Sequence, residues 1–322
     1  MVSLKKISAI VLPTVLAVAI IGYMLWRVWD DLLIALAHAD YVYLLPAVLI
    51  CVLSWFLRGY RYQAILANLQ VRVNLWLSTA CIYLSQTANL IIPARLGDLV
   101  RLFILHHEAD ATYTNGLSSI VVERFFDIVM VALLGVVALF FVPVVPDWFR
   151  PLLFIPIVLG VVFLLVLVFA ERLQVQNKYL QMGLRLLDEI RAASLSARVL
   201  GFLGGLSVII WLADSVICFV VAAMFQTSVP FATVVLAIVI GNLVKAVPIT
   251  PGGMGTYEVA VAVTLELAGV APAIATLIAV IDHLIKNLVT LGGGVVSLYY
   301  FGDWAVDVMK KAFNKDLPTR EM

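Results

Sequence analysis

The chain has 322 residues, 64% of them hydrophobic and 13% charged, with a mean hydropathy of +1.09 and a formal net charge of +1. A soluble protein of this length cannot hide that much apolar surface, so a water-soluble fold is excluded and an all-α polytopic membrane protein is expected. No polar stretch approaches the roughly 50 residues of a separate soluble domain, so residues 1–322 read as a single transmembrane domain.

Taken in order, the first apolar run covers residues 7–29 behind Lys5 and Lys6. It is too long for the apolar region of a signal peptide and no small-residue cleavage site follows, so it reads as a retained span. A short acidic loop with Asp30, Asp31 and Asp40 leads to a second span, 41–66, whose far end carries Arg58 and Arg61. The next apolar run, 75–92, stops at Pro93. A charged turn with Arg95, Asp98 and Arg101 and a short apolar piece, 102–105, complete a broken hairpin. The third and fourth spans fall at 117–142 and 151–170. Residues 171–199 are polar, with Leu180, Leu184, Leu187 and Ile190 at helical spacing, which predicts a cytoplasmic amphipathic helix at the membrane surface. The fifth span covers 201–225 and contains Asp214.

The stretch Pro251-Gly252-Gly253-Met254-Gly255 interrupts two apolar runs, 231–247 and 259–268, each shorter than the ~20 residues that cross a bilayer. Prolines and glycines at this density end a helix. A second hairpin that enters and leaves on one side is expected, and such backbone persists at membrane depth only inside protein or beside a wet cavity. A helix beginning near Thr256 would aim its N–H groups at the glycine turn and favour an anionic group there. The sixth span covers 273–300, and a basic tail with Lys310, Lys311, Lys315 and Arg320 closes the chain.

Six full spans and two re-entrant hairpins put nearly all Lys and Arg on one side, leaving Arg27 and Arg150 on the other. By the positive-inside rule both termini are cytoplasmic in a multi-pass cell-membrane protein, with the two hairpins entered from opposite faces. An inverted two-fold repeat is then expected, about 41–142 against 201–300. Ala88-Asn89-Leu90-Ile91 resembles Gly241-Asn242-Leu243-Val244, and each is followed by proline, glycine and an acid, Asp98 or Glu258. Trp55 with Arg58 answers Trp211 with Asp214. Glu123-Arg124-Phe125-Phe126-Asp127 answers Asp282-His283-Leu284-Ile285-Lys286, in the same order along the chain. Inverted repeats with broken helices are the architecture of transporters, whose substrate site lies where the repeats meet.

Arg124, Asp214, Lys245, Glu258, Asp282, His283 and Lys286 fall within or beside apolar segments, where an ionisable group costs at least ~2.5 kcal/mol and either pairs or lines a cavity. Asp282 and Lys286 are four apart with the acid first, which suits a local ion pair. Glu123 and Asp127 repel each other unless a cation such as Arg124 or Arg95 comes between them. Arg58, Arg61, Arg95 and Arg101 fit either an inside-positive rim or a cluster holding a phosphate head group; His283 fits either a packed histidine or a proton carrier. Cys51, Cys81 and Cys218 read as small packing residues. The glycine turn lacks the strand or Lys-Ser/Thr of a nucleotide loop. No metal-ligand cluster or catalytic dyad is found. A non-enzyme without cofactor, metal or nucleic-acid partner is expected, and a homo-oligomer is left open.

The pattern Asn89…Pro93…Gly97-Asp98…Arg101, then Glu123-Arg124…Asp127, then Pro248…Pro251-Gly252-Gly253…Gly255…Glu258 resembles the flippase-like transmembrane region of lysylphosphatidylglycerol synthases. The likeness extends over roughly residues 5–302. It implies a membrane domain that moves lipids between leaflets, without the separate soluble aminoacyl-transferase domain of the two-domain synthases. Stand-alone members have been associated with polyprenyl-linked sugar lipids and hopanoids, which leaves the lipid open. The expectation is a flippase with alternating access for a lipid with an anionic, phosphate-bearing head group. That head group would lie between the hairpins among Arg95, Arg101 and Arg124 on one side and Lys245, His283 and Lys286 on the other. Asp98 and Glu258 would fix the hairpin tips or couple protons; Arg58, Asn89, Glu123, Asp127, Asp214, Asn242, Pro251, Gly252, Gly253, Gly255 and Asp282 complete the expected site. An integral-membrane transferase acting on a lipid phosphate and a non-catalytic envelope scaffold are the rival readings.

Overall fold

The computed structural model describes residues 4–142, 146–170, 178–302 and 304–306. Among these, all extended regular structure is helical. The first predicted span is α1, Leu4–Arg27, which turns through 78° into α2, Trp29–Ala37. Asp30 and Asp31 therefore do not form a loop. They occupy the first turn of α2, where carboxylates offset the positive end of the helix dipole. Asp40 accepts from the Val42 N–H and opens a short turn, Tyr41–Tyr43, into α3, Leu44–Asn68.

Asn74 caps α4, Leu75–Ile91, by accepting from the Leu77 N–H. Pro93 halts α4, and a tight turn, Pro93–Leu99, leads into α5, Val100–Ala109, which is longer than the apolar piece expected there. A reciprocal cap between Thr112 and Asn115 starts α6, Tyr113–Leu139. Then come α7, Phe149–Ala170, and α8, Lys178–Ser194, within the predicted amphipathic segment; residues 171–177 lie outside those described, as does the basic tail beyond residue 306. Ser196 caps α9, Ala197–Met224. The second broken hairpin is α10, Phe231–Ala246, a turn at Pro251–Gly253, and α11, Thr256–Leu267; α12, Pro272–Phe301, is the longest helix described.

Among the described helices, four are long and apolar enough to cross a membrane: α3 with its leading turn, α7, α9 and α12. The bent α1–α2 pair makes a fifth if it counts as one span. α6 has 27 residues, but Glu123, Arg124 and Asp127 interrupt its apolar sequence. Polarity is distributed as lipid demands. Leu12, Leu159, Val158, Val295 and many other apolar side chains face outward, while Arg61, Arg101, Asp282 and His283 are almost wholly buried. In water this would expose far more contiguous apolar surface than monomeric proteins carry. In a bilayer it places the charges where they find one another.

Candidate functional site

The two chain breaks meet. Gly252, with φ +61°, sits so close to α4 that a Cβ there would lie 2.6 Å from the Leu90 Cδ2. The Arg95 guanidinium donates to the Lys245 carbonyl at 3.1 Å. Arg95 itself holds a left-handed backbone with φ +55°, a conformation that non-glycine residues seldom adopt. On the far side of the second turn, the Gly255 N–H donates to the Glu258 Oε2 at 2.7 Å. The anion expected at this helix N-terminus is thus supplied by the helix itself, at its third position.

A cavity of about 160 Å³ lies between the breaks. Of the expected site residues, Asp98, Arg101, Gly255, Glu258 and Asp282 stand behind its wall and all the others line it. The lining comes from α3, α4, α6, α9, α10, α11, α12 and both turns. A second cavity of about 330 Å³ lies between α1, α11 and α12. It is mostly apolar, with the partly exposed Arg27–Glu266 pair at 2.5 Å.

Behind the first turn, three arginines and three acids form a closed network. Arg101 pairs with Glu123 and donates to the Ser85 hydroxyl at 2.7 Å, its guanidinium 4.9 Å from the Tyr62 ring. Arg61 bonds Asp127 at 2.7 Å and faces Glu123 at 3.6 Å. The cation between the two acids of α6 is therefore Arg61 from α3, fully buried and no part of a rim. Arg124 reaches Asp98 at 3.0 Å and Asp127 at 3.6 Å, and Asn89 donates to Asp98 at 2.9 Å. With its amide oxygen turned toward the arginines, Gln86 accepts from Arg124 and Arg101 at 3.0 and 3.1 Å.

Across the cavity, Arg58 bonds Asp214 at 2.8 Å, and Lys286 bonds Asp282 at 2.8 Å, the i,i+4 pair read from sequence. The Tyr257 hydroxyl donates to Asp282 at 2.7 Å. His283 joins the Glu258 Oε1 through Nδ1 at 2.7 Å and the Lys245 Nζ through Nε2 at 3.0 Å. Arg95 and Lys245 differ from the other cations. Among the described residues no carboxylate forms an ion pair with either, although both line the cavity. Arg58, Arg124 and Lys286 are matched by acids, so Arg95 and Lys245 are the two basic groups the cavity wall offers at the junction of the two turns.

Several lining side chains escaped the site reading. Trp55 and Trp211 flank Arg58 at 5.4 and 5.9 Å, and Tyr257 lies under Lys245 at 5.6 Å. The signal for the tryptophans was available: each stands three residues before its charged partner, on the same helical face. Gln86, Thr250 and Asn287 also line the cavity. Single polar residues inside apolar runs were the only cue to them. Among the described residues no group of three or more His, Cys, Asp or Glu is placed to hold a metal ion.

Residues 14–294 match the family described as the lysylphosphatidylglycerol synthase TM region. A protein of Haloferax volcanii named glycosyltransferase AglD is 32% identical, over 91% of this chain and 54% of its own length. The chain thus spans about half of that relative. A UPF0104 membrane protein of Methanothermobacter thermautotrophicus is 26% identical over 94% of this chain and 95% of its own length. Another, MJ1078 of Methanocaldococcus jannaschii, is 25% identical over 66% and 92%. No solved structure matches.

Proposed function

The chain belongs to the family of the lysylphosphatidylglycerol synthase TM region, and on that premise we propose that it moves a phosphate-bearing lipid between membrane leaflets. The head group would occupy the cavity between the two broken hairpins while the acyl or isoprenyl chains stay in the bilayer. Six crossings with two re-entrant hairpins, arranged as an inverted repeat of residues 41–142 and 201–300, make one turn accessible from each leaflet. Both termini then lie in the cytoplasm of a cell-membrane protein, α8 rests on the cytoplasmic surface, and access alternates as one repeat rocks against the other.

One observation carries this reading. Arg95 and Lys245 both line the cavity, and among the described residues no carboxylate forms an ion pair with either. A basic group without a carboxylate in a low-dielectric site holds its proton at a cost, which an anionic phosphate between the two groups offsets. A guanidinium beside an ammonium also suits phosphate oxygens, the first by its planar fork and the second as a point charge. The cavity walls are already braced by matched pairs, so a head group need not disturb them.

Reconstituted in liposomes with a labelled anionic phospholipid, the protein is expected to speed leaflet exchange, and an Arg95→Gln, Lys245→Gln variant to lose most of that gain. Equal exchange by the two proteins would sink the proposal. The Haloferax relative's name favours a second reading, a membrane transferase acting on a lipid phosphate. Against it, every carboxylate oxygen of Glu123 and Asp127 faces a guanidinium. Turnover of a sugar nucleotide by the purified chain would decide for the transferase.

A further inference from the structure

Lys245 has an unusual partner for a lysine facing a membrane cavity. Its Nζ lies 3.0 Å from His283 Nε2; His283 Nδ1 lies 2.7 Å from Glu258 Oε1; and Glu258 Oε2 receives the Gly255 N–H at 2.7 Å. Four groups from α10, α12, α11 and its cap form one unbranched chain. His283 and Glu258 are 1% and 4% exposed, so the chain meets solvent chiefly through Lys245 and the cavity.

An ionised Glu258 selects the histidine tautomer. Glu258 accepts from the Gly255 N–H and, as a carboxylate, from the Nδ1–H, which leaves Nε2 as an acceptor toward Lys245. Nε2 can accept from an ammonium or, more weakly, from a neutral amine. The same hydrogen bonds therefore hold with or without the last proton on Nζ, and the chain changes its proton count without moving an atom of the fold. Lys286 offers the contrast, since Asp282 at 2.8 Å anchors its charge. Other charged and titratable groups frame Lys245 without pairing with it. Arg95 of the first turn donates to its carbonyl rather than to its side chain, Tyr257 of α11 presents its ring at 5.6 Å, and Asp214 of α9 is committed to Arg58.

We propose that the Lys245–His283–Glu258 chain is a proton site coupled to head-group binding: the cavity takes up one proton with each anionic lipid and gives it back on release. The proton adds to the neutral amine Nζ as the phosphate arrives, forming the ammonium that faces it. On departure it leaves Nζ by way of the cavity. No other bond changes. The inference rests on the cavity holding an anionic head group. It adds what the proposed function leaves open, an ion that drives or is driven by the lipid.

The test uses the full-length protein in detergent and phosphatidylglycerol, a diester that keeps one negative charge across the working pH range. A pH-indicator dye in weakly buffered solution counts protons at saturation, per bound lipid, so altered affinity does not enter the count. The expected result is uptake of about one proton, with affinity weakening by up to about tenfold per pH unit as pH rises. Lys245→Arg keeps a cation that does not release its proton, so uptake falls close to zero; His283→Gln breaks the chain and lowers it likewise. Arg27→Gln, in the second cavity, keeps the full count. Saturable binding to the wild type without proton uptake overturns the inference and leaves the phosphate site standing. Undiminished uptake in Lys245→Arg overturns its assignment to this chain. Absence of binding overturns the phosphate site and the inference together. The wild-type measurement alone separates the first and last of these results, so a variant that fails to fold does not protect the proposal.

Discussion

Arg58 on α3 and Asp214 on α9 meet at 2.8 Å, with Arg58 also set against the faces of Trp55 and Trp211. The Ser54 hydroxyl lies between them, accepting from Arg58 and donating to Asp214 at 3.3 Å. Removing one member of a buried pair strands the other charge and costs about 3–5 kcal/mol. Asp214→Asn is therefore expected to lower stability by about 3 kcal/mol in detergent unfolding, and the exchange Arg58→Asp with Asp214→Arg to recover part of the loss. If the exchanged protein is no more stable than the single variant, the pair is not what joins α3 to α9.

Arg101 and Arg95 lie in the same short stretch yet have opposite assignments. Arg101 is fully buried, bonded to Glu123 and Ser85, while Arg95 faces the cavity and bonds a backbone carbonyl. Arg101→Gln should cost about 3 kcal/mol of stability because it removes the nearest cation from buried Glu123 and leaves it Arg61 at 3.6 Å. Arg95→Gln should change stability by about 0.5 kcal/mol or less and weaken phospholipid binding about tenfold, the equivalent of about 1.4 kcal/mol. Unfolding and lipid-binding titrations on both variants separate the roles; equal effects of the two in both assays would refute the division.

Much of this arrangement is written in local sequence. Helix ends follow from Asn74, Pro93, Thr112, Ser196 and the Pro251–Gly255 stretch, each acting within a few residues. The Asp282–Lys286 pair follows from i,i+4 spacing, and Asn89, Lys245 and His283 stand out as polar residues in apolar runs. The bend between α1 and α2 was not legible, because no proline or glycine marks the stretch Trp26-Arg27-Val28-Trp29. Nor was the place of Arg61: a guanidinium at the end of an apolar span looks the same whether it faces lipid head groups or reaches inward. Only the packing of α3 on α6 sets it between Glu123 and Asp127. The partners of Glu258 were hidden for a related reason. Sequence placed an acid near a helix start and an anion-seeking turn beside it without showing that one satisfies the other.

The Pro251–Gly253 turn positions Lys245 by contact. A Cβ on Gly253, where φ is +75°, would lie 2.5 Å from the Lys245 Cγ. Gly253→Ala imposes both a left-handed backbone on an L-residue, at roughly 1–2 kcal/mol, and a shift of the lysine stem. The expected result is a modest fall in melting temperature with a several-fold loss of phospholipid affinity. Gly269→Ala, at a positive φ with open space around it, pays the backbone cost alone and should keep its affinity. Equal affinity in the two variants would mean that the turn does not set the lysine.

The approach of Leu90 to Gly252 allows the proposed rocking motion to be tested directly. A Cβ on residue 252 would stand 3.7 Å from the Leu90 Cα, within the reach of a disulfide. In a protein whose buried Cys51, Cys81 and Cys218 are replaced by alanine, Leu90→Cys with Gly252→Cys should oxidise readily and tie the two chain breaks together. If alternating access separates the turns, leaflet exchange falls to the protein-free rate on oxidation and returns on reduction, while phospholipid binding persists in one orientation. Unchanged exchange after complete oxidation would show that the turns move as one body. The lipid would then have to pass by a motion elsewhere, and the proposed cycle would fail at its central step.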